Sequence, residues 1–184
     1  MSEEATVPLI GAVLAGHGAE AAAVFQRCGA ALRRAGVRLA GVRQINAPQP
    51  GSCRCDMLLE DLADGSIVQI SENRGPEARG CRLDRGALAE ASERVARAIH
   101  QGVDLVILNK FGKAETEGAG MRGIIALAVE QGTPVLIAAD QEHLPHLLDF
   151  AGGLAAPLTL SETEINDWIG AVLPKLAARC PVEA

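Results

Sequence analysis

The chain has very few aromatic residues. Phe and Trp make up 2% of its 184 residues, and tyrosine is absent. Proteins that bind single-stranded nucleic acids stack bases on aromatic side chains, and nucleic-acid binding in general calls for clustered basic residues. The basic residues here form no tract, and the formal net charge is −6. These absences argue against nucleic acid or an anionic membrane surface as a partner.

Long apolar stretches and a cysteine framework are lacking as well. No run reaches the roughly 18 apolar residues of a membrane-spanning helix, and the N-terminal Met1-Ser2-Glu3-Glu4 is acidic where a secretory signal is basic. The five cysteines are few, odd in number and widely spaced, which fits a reducing compartment better than disulfides. We expect a cytoplasmic protein without membrane contact, folded as one domain over residues 1–184.

The chain does contain a regular alternation of strand and helix patterns. The apolar run from Val7 to Ala15 predicts a strand, and Gly16-His17-Gly18 separates it from an alanine-rich helix over residues 19–35. Further strands are predicted over residues 37–44, 103–108, 134–138 and 154–160. Further helices are predicted after Asp84 and over residues 121–131, 142–150 and 161–176. This order predicts a three-layer α/β fold with a mainly parallel sheet.

A β-hairpin interrupts the alternation. Residues 56–62 and 66–71 have the pattern of two short strands, and Asp64-Gly65 between them is a strong hairpin signal. Prolines and a glycine predict a loop over residues 47–52, and residues 72–80 are predicted to form a mobile surface loop. The hairpin insertion therefore covers about residues 53–83.

The first candidate site is the Gly16-His17-Gly18 loop. Free backbone N–H groups and the positive end of the helix dipole make such a turn a ready anion site. The full phosphate-loop motif needs a Lys followed by Ser or Thr, and neither occurs in this loop. Two alternatives stay open. One is a nicotinamide site, although the second strand ends in Arg43-Gln44 without the acid that binds a ribose hydroxyl; the other is a tight turn that needs glycine for its backbone conformation.

The second candidate site is the run from Asn109 to Glu117. It offers an amide, the ammonium groups of Lys110 and Lys113, and carboxylates that include Glu115. A buried lysine is costly unless it pairs with an anion, so Lys110 should face either Glu115 or a ligand. The alternative is an internal Lys–Glu pair at the surface. Guanine recognition is not supported, because Gly112 stands where that motif needs an aspartate.

Cysteines form a third candidate site. Cys53, Cys55 and Cys81 flank the hairpin, and with His17 as a fourth donor they could hold zinc or an iron–sulfur cluster. Their spacing is not that of a zinc knuckle, so small buried hydrophobic residues and a redox-sensing thiol are the alternatives.

Hydrolase motifs are poorly represented. No G-x-S-x-G sequence occurs, and His100 lies in a predicted helix. His143 and His146 are spaced i, i+3, but without an adjacent acid motif they are predicted to lie at a solvated helix start rather than in a metal site.

The assembled order of motifs resembles a bacterial family, domain of unknown function 2478, whose members are often encoded near molybdate-transport genes. The resemblance rests on the hairpin around Leu62-Ala63-Asp64-Gly65, on Gly80-Cys81-Arg82-Leu83-Asp84 and, most distinctively, on Leu108-Asn109-Lys110-Phe111-Gly112-Lys113. More distantly, the layout is similar to P-loop nucleoside-triphosphatases related to the adaptor proteins of molybdopterin-dinucleotide synthesis. The resemblance implies a P-loop-like fold and a role in molybdenum supply or molybdenum-cofactor metabolism, with cofactor or molybdoenzyme assembly proteins as partners.

The departures from those hydrolases affect both halves of their magnesium–phosphate machinery. Their first loop ends in Gly-Lys-Thr or Gly-Lys-Ser, whereas Ala19-Glu20-Ala21 stands here. Their metal-binding strand ends in an acidic pair, which Asn109-Lys110 replaces, although Phe111-Gly112-Lys113-Ala114-Glu115 retains the rest of the motif. We therefore expect degenerate motifs, no magnesium and binding of an unaccompanied anion.

The leading hypothesis is non-hydrolytic binding of a small oxyanion or a nucleotide phosphate. Molybdate, tungstate, phosphate and sulfate all fit the expected charge. No catalytic residue is assigned, and the expected ligand-binding residues are Gly16, His17, Gly18, Asn109, Lys110, Lys113 and Glu115. Two alternatives are a divergent magnesium-dependent nucleoside-triphosphatase and a cysteine-based metal or redox sensor. The sequence leaves open whether the chain forms a homo-oligomer.

Overall fold

The computed structural model describes residues 7–16, 18–48, 55–71 and 84–173. Within these ranges the chain forms seven strands and six helices in alternating order. The strands are β1 (Ile10–Leu14), β2 (Leu39–Pro48), β3 (Cys55–Asp61), β4 (Ile67–Gln69), β5 (Leu105–Phe111), β6 (Val135–Ala139) and β7 (Ala155–Leu158). The helices are α1 (Gly18–Arg34), α2 (Arg85–His100), α3 (Lys113–Thr116), α4 (Arg122–Glu130), α5 (Leu144–Ala151) and α6 (Glu162–Val172).

The strands join in one sheet with the order β4-β3-β2-β5-β6-β1-β7. The pairs β2–β5, β5–β6, β6–β1 and β1–β7 are parallel, while β2–β3 and β3–β4 are antiparallel. The mainly parallel sheet and the hairpin insertion are therefore confirmed. In such a sheet the carboxyl ends of β1, β5 and β6 lie at the same edge, which is where ligands bind in open α/β folds.

Helices cover both faces of the sheet, so the fold has three layers. Buried residues of α2, α4 and α5 form one apolar cluster against the sheet, and buried residues of α1 and α6 form a second cluster on its other face. Strand β5 contributes to both, since Val106 and Leu108 face the first cluster while Leu105 and Ile107 face the second. Burial on both faces explains why this strand is an almost continuous apolar run.

Two of the helices begin at N-cap residues that the sequence predicts. The Asp84 side chain accepts a hydrogen bond from the backbone N–H of Ala87 at the first turn of α2. Ser161 caps α6 in the same way by accepting from the N–H of Glu164. The reciprocal half of that capping box is missing, because the Glu164 carboxylate instead accepts from the backbone and hydroxyl of Thr159.

Two strand ends differ clearly from the sequence predictions. The predicted loop over 47–52 is wrong at its start, because Ala47 and Pro48 continue β2 and pair with Asp56 and Cys55 of β3. Proline is tolerated there because it lies at the strand end. Strand β5 continues to Phe111 instead of ending before Asn109, and the short helix α3 follows directly. The predicted mobile loop over 72–80 lies outside the described residues.

Gly41 in β2 has a backbone geometry that only glycine accepts. Its φ is +121°, and a Cβ atom there would lie 1.9 Å from the carbonyl oxygen of Ile107 in β5. This close approach joins the hairpin side of the sheet to its parallel half. No helix within the described ranges combines the length and apolar character that crossing a membrane requires.

Candidate functional site

A small cleft lies at the carboxyl edge of the sheet, where β1, β5 and β6 end beside the start of α1. Its volume is about 20 Å³, which is room for roughly one water molecule. The lining residues are Ala15, Gly16, Gly18, Asn109, Lys110, Ala138, Ala139 and Asp140. The cleft thus contains four of the seven residues expected to bind a ligand, while His17 lies outside the described residues.

The two glycines leave the backbone at the start of α1 uncovered. Gly16 has no positive φ, and a Cβ atom at Gly16 or Gly18 would meet nothing within 4 Å among the described residues. The alternative that this turn needs glycine for its backbone conformation stays open, because His17 lies outside the described residues. Gly18 begins α1, so its region carries the unpaired N–H groups and partial positive charge of a helix N-terminus.

Asn109 supplies a buried polar atom that has no partner among the described residues. The pairing between β5 and β6 is regular up to Leu108 and resumes, shifted, at Phe111, so Asn109 and Lys110 lie in an irregular part of the strand. The Oδ1 atom of Asn109 is fully buried and makes no hydrogen bond to any residue that the structure describes. An unsatisfied buried acceptor is costly and rare in folded proteins, so it calls for an explanation such as strain, a functional role or a bound water molecule.

Lys110 forms an ion pair with Asp140, the residue that follows β6. Its Nζ atom lies 2.9 Å from Oδ2 of Asp140, while the other carboxylate oxygen lies 2.7 Å from Nδ1 of His143 and accepts from the His143 backbone N–H. Burial acts to raise the pKa of the Asp140 carboxyl, but the hydrogen bonds from Lys110 and His143 outweigh it and hold that pKa well below its ordinary value. Asp140 is therefore a carboxylate at neutral pH.

Of the two partners expected for Lys110, Glu115 or a ligand, Glu115 is wrong. Glu115 is buried, and its two carboxylate oxygens accept hydrogen bonds from the backbone N–H groups of Gly112 and Met121, at 3.0 and 2.9 Å. Its role is to tie α3 to the start of α4, and it does not line the cleft. Lys113 points to solvent, with its side chain 84% exposed and its Nζ atom 3.8 Å from Glu117.

Sequence reasoning missed Asp140 and misplaced His143. The His143 side chain is only 15% exposed and bonds to Asp140, so it is not part of a solvated helix start. One signal for Asp140 was available, because it is the first polar residue after a predicted buried strand, where open α/β sheets place ligand-binding groups. Its partnership with Lys110 depends on β5 and β6 being neighbours, which a single sequence does not reveal.

The structure leaves the proposed thiol site largely untested. Cys53 and Cys81 lie outside the described residues, and Cys55 opens β3 with a side chain of which nothing is described. Among the residues that are described, no three His, Cys, Asp or Glu side chains come together as a metal site would require. Cys28 in α1 is buried, and burial raises the pKa of its thiol.

The cleft does not suit the magnesium ion that hydrolases of this architecture use. Magnesium binds oxygen ligands, above all carboxylates, in an octahedral arrangement. The carboxylate that lines this cleft, Asp140, is already neutralised by the ammonium group of Lys110 at 2.9 Å. A divalent cation would have to displace that ammonium group and tolerate it nearby, so the residues of this cleft do not fit a magnesium ion.

Comparison with solved structures defines the class of fold. The crystal structure of THEP1 from the hyperthermophile Aquifex aeolicus superimposes with a TM-score of 0.56, covering 91% of this chain and 97% of THEP1 at 13% sequence identity. The chain therefore has the mixed α/β fold of the P-loop nucleoside-triphosphatases. At this identity the likeness extends to the fold alone.

Sequence comparison then identifies the family. The model of a family described as "Protein of unknown function (DUF2478)" matches residues 10–168, so the chain belongs to that family. The chain is also similar to the molybdenum import ATP-binding protein ModC 2 of Bradyrhizobium diazoefficiens, with 38% identity over 137 residues. That match covers 74% of this chain but 15% of ModC 2, so the chain corresponds to a small part of the relative.

Proposed function

We propose that this protein binds a small oxyanion or the phosphate of a nucleotide at the cleft between Gly16, Gly18, Asn109 and Lys110, without hydrolysing it. The observation that carries the proposal is the convergence of these residues, from the start of α1 and the end of β5, at the carboxyl edge of the sheet. Such an edge is the usual ligand position in this class of fold.

The cleft has the electrostatic character that an anion requires. The start of α1 contributes backbone N–H groups and the positive end of a helix dipole, and Lys110 contributes a full positive charge. The phosphate-loop lysine and the Ser or Thr that hold magnesium in hydrolases do not occur in the loop. Donors for an anion are therefore present, while two groups needed for magnesium-dependent hydrolysis are replaced.

Ligand entry requires Lys110 to leave Asp140. A cleft of about 20 Å³ admits a water molecule but not a tetrahedral oxyanion. The Lys110 side chain is 45% exposed, so it is free to turn from the carboxylate toward an incoming anion without disturbing the core. The anion then takes the place of Asp140 as the partner of the ammonium group.

A role in molybdenum metabolism is the finer part of this proposal. It is supported by the similarity to part of a protein described as a molybdenum import ATP-binding protein. In that setting the ligands to test are molybdate, tungstate and nucleotides, and the macromolecular partners are proteins of molybdenum-cofactor or molybdoenzyme assembly.

Titration calorimetry tests the proposal directly. Phosphate, sulfate, molybdate, tungstate and ATP are titrated into the wild-type chain and into Lys110→Ala. We expect at least one of these anions to bind, and its affinity to fall by about tenfold or more in Lys110→Ala, because a charge-assisted hydrogen bond is lost. Arg97→Ala, which removes an exposed positive charge from the last turn of α2, should leave the affinity nearly unchanged.

Two results would refute the proposal. The first is that none of the anions tested releases or absorbs heat on titration, and none shifts the melting temperature. The second is an equal loss of affinity in Lys110→Ala and Arg97→Ala, since that would show a diffuse effect of charge and no local site.

A further inference from the structure

The cleft presents a hydrogen-bond acceptor as well as donors. Asp140 lines the cleft, and its Oδ2 atom lies 2.9 Å from Nζ of Lys110. A site built only to hold a bare anion would present donors alone. A carboxylate beside the ammonium group and the N–H groups of α1 indicates that the ligand itself donates a hydrogen bond.

Tetrahedral oxyanions differ in whether they can donate. Sulfate, molybdate and tungstate are fully deprotonated near neutral pH and only accept hydrogen bonds. Phosphate and arsenate keep at least one O–H group under the same conditions, at the same overall shape. When a bound anion leaves a buried acceptor of the site without a donor, the free energy of binding becomes much less favourable. A site with such an acceptor therefore binds anions that carry an O–H group more tightly than fully deprotonated ones.

Asp140 is placed to make that discrimination. When Lys110 turns to the ligand, Oδ2 of Asp140 loses its partner, while Oδ1 stays bonded to the side chain and backbone of His143. A fully deprotonated anion would then place its oxygens against an unpaired carboxylate. A protonated anion instead donates its O–H to Oδ2, and the repulsive contact becomes a charge-assisted hydrogen bond.

We propose that the cleft selects a protonated tetrahedral oxyanion of the phosphate class, whose O–H donates to Asp140, over fully deprotonated oxyanions such as sulfate and molybdate. This inference rests on the proposed function and names the ligand class of the same site. Under this inference, molybdate is a poor ligand. Any role in molybdenum metabolism then comes from the process in which the protein acts and not from binding molybdate.

The test compares anions that differ by a proton. Phosphate and sulfate are similar in size and shape, and arsenate and molybdate provide a second, larger pair. Near neutral pH we expect phosphate and arsenate to bind about tenfold or more tightly than sulfate and molybdate. In Asp140→Asn the amide can donate to a bare oxygen, so sulfate should bind more tightly than in the wild type and the phosphate-to-sulfate ratio should fall to within about threefold.

Glu130→Gln is the matched control. It removes one negative charge from the exposed end of α4, which precedes β6 and lies at the opposite edge of the sheet. Anion affinities should rise slightly and equally, with the phosphate-to-sulfate ratio unchanged. Circular dichroism checks whether the Asp140→Asn variant is folded. If it is not, the phosphate-to-sulfate affinity ratio of the wild type still decides whether the cleft selects protonated anions.

The outcomes separate the two proposals. Equal affinity for phosphate and sulfate in the wild type, or an undiminished ratio in folded Asp140→Asn, overturns the selection by Asp140 and leaves the anion site standing. A preference for molybdate or sulfate overturns it as well. No binding of any of the four anions overturns both the selection and the proposed function.

Discussion

The carboxylate of Glu115 occupies the space in which a side chain at Gly120 would begin. A Cβ atom at Gly120 would lie 2.1 Å from Oε1 of Glu115, and Gly120 has a φ of +59°. Because Oε1 also accepts the N–H of Met121, the carboxylate cannot retreat without losing that bond. The turn between α3 and α4 is therefore built around one buried acid and one glycine.

Gly120→Ala should destabilise the fold. The new Cβ collides with Glu115, and the left-handed backbone conformation disfavours alanine, so we expect a loss of about 2 kcal/mol or more in the free energy of unfolding. Urea denaturation measures it. Gly123→Ala is the control, because a Cβ there meets nothing within 4 Å inside α4 and should stabilise by about 0.5–1 kcal/mol. Equal effects of the two substitutions would contradict this account of the turn.

Glu115→Gln tests the carboxylate itself. Glutamine keeps one acceptor oxygen but turns an N–H₂ group toward the second backbone N–H, so a hydrogen bond is lost and two donors face each other. We expect a loss of about 1–3 kcal/mol in the free energy of unfolding. The exposed Glu117→Gln, whose partner Lys113 lies 3.8 Å away, should change stability by less than about 0.5 kcal/mol. A Glu115→Gln protein as stable as the Glu117→Gln protein would show that the buried contacts are dispensable.

Stability should depend on the ionisation of Asp140. Its pKa is lowered in the folded state, so its contribution is present above the unfolded pKa of about 4 and is lost as the pH falls from there toward the folded pKa. Asp140→Asn should therefore be clearly less stable than the wild type near pH 6, and the difference should shrink in more acidic solution. Urea denaturation across this range measures it, and a constant difference would be inconsistent with a lowered pKa.

The single tryptophan reports the packing of α6 on β1. Trp168 is buried, its Nε1 donates to the carbonyl oxygen of Pro8, and a Cβ at Gly11 would lie 3.0 Å from its ring. Gly11→Ala should displace the ring, shift the fluorescence emission to longer wavelength and cost about 1–3 kcal/mol in the free energy of unfolding. Gly29→Ala, whose Cβ would make only ordinary contacts at 3.7 Å or more, should leave the emission unchanged. An unshifted emission in Gly11→Ala would show that the ring does not depend on that glycine.

Sequence patterns predicted the elements that depend on local chemistry. Apolar runs located β1, β5 and β6, and Asp64-Gly65 located the turn between β3 and β4. Periodicity and turn chemistry act over a few residues, so a single sequence carries them. Strand ends were less accurate, because Ala47 and Pro48 are held in β2 by pairing with β3 and not by their own propensities.

The site was only partly predictable for a related reason. The glycine loop and the Asn109-Lys110 pair stand out in the sequence, since each departs from a familiar motif. The partner of Lys110 does not, because Asp140 follows the neighbouring strand of the sheet and lies thirty residues further along the chain. Proximity in sequence favoured Glu115, whereas strand order placed Asp140 beside Lys110.

The sheet order also bears on how the chain reaches its native state. Strand β1 pairs with β6 and β7, so Ile10 must find Val135 and Ala155, and β2 must find β5, whereas the antiparallel pairs β2–β3 and β3–β4 join segments close by in sequence. Contacts between distant segments form slowly because a long loop must close first. The hairpin region therefore forms early during synthesis, while the cleft, which needs β1, β5 and β6 side by side, is completed only after most of the chain has left the ribosome.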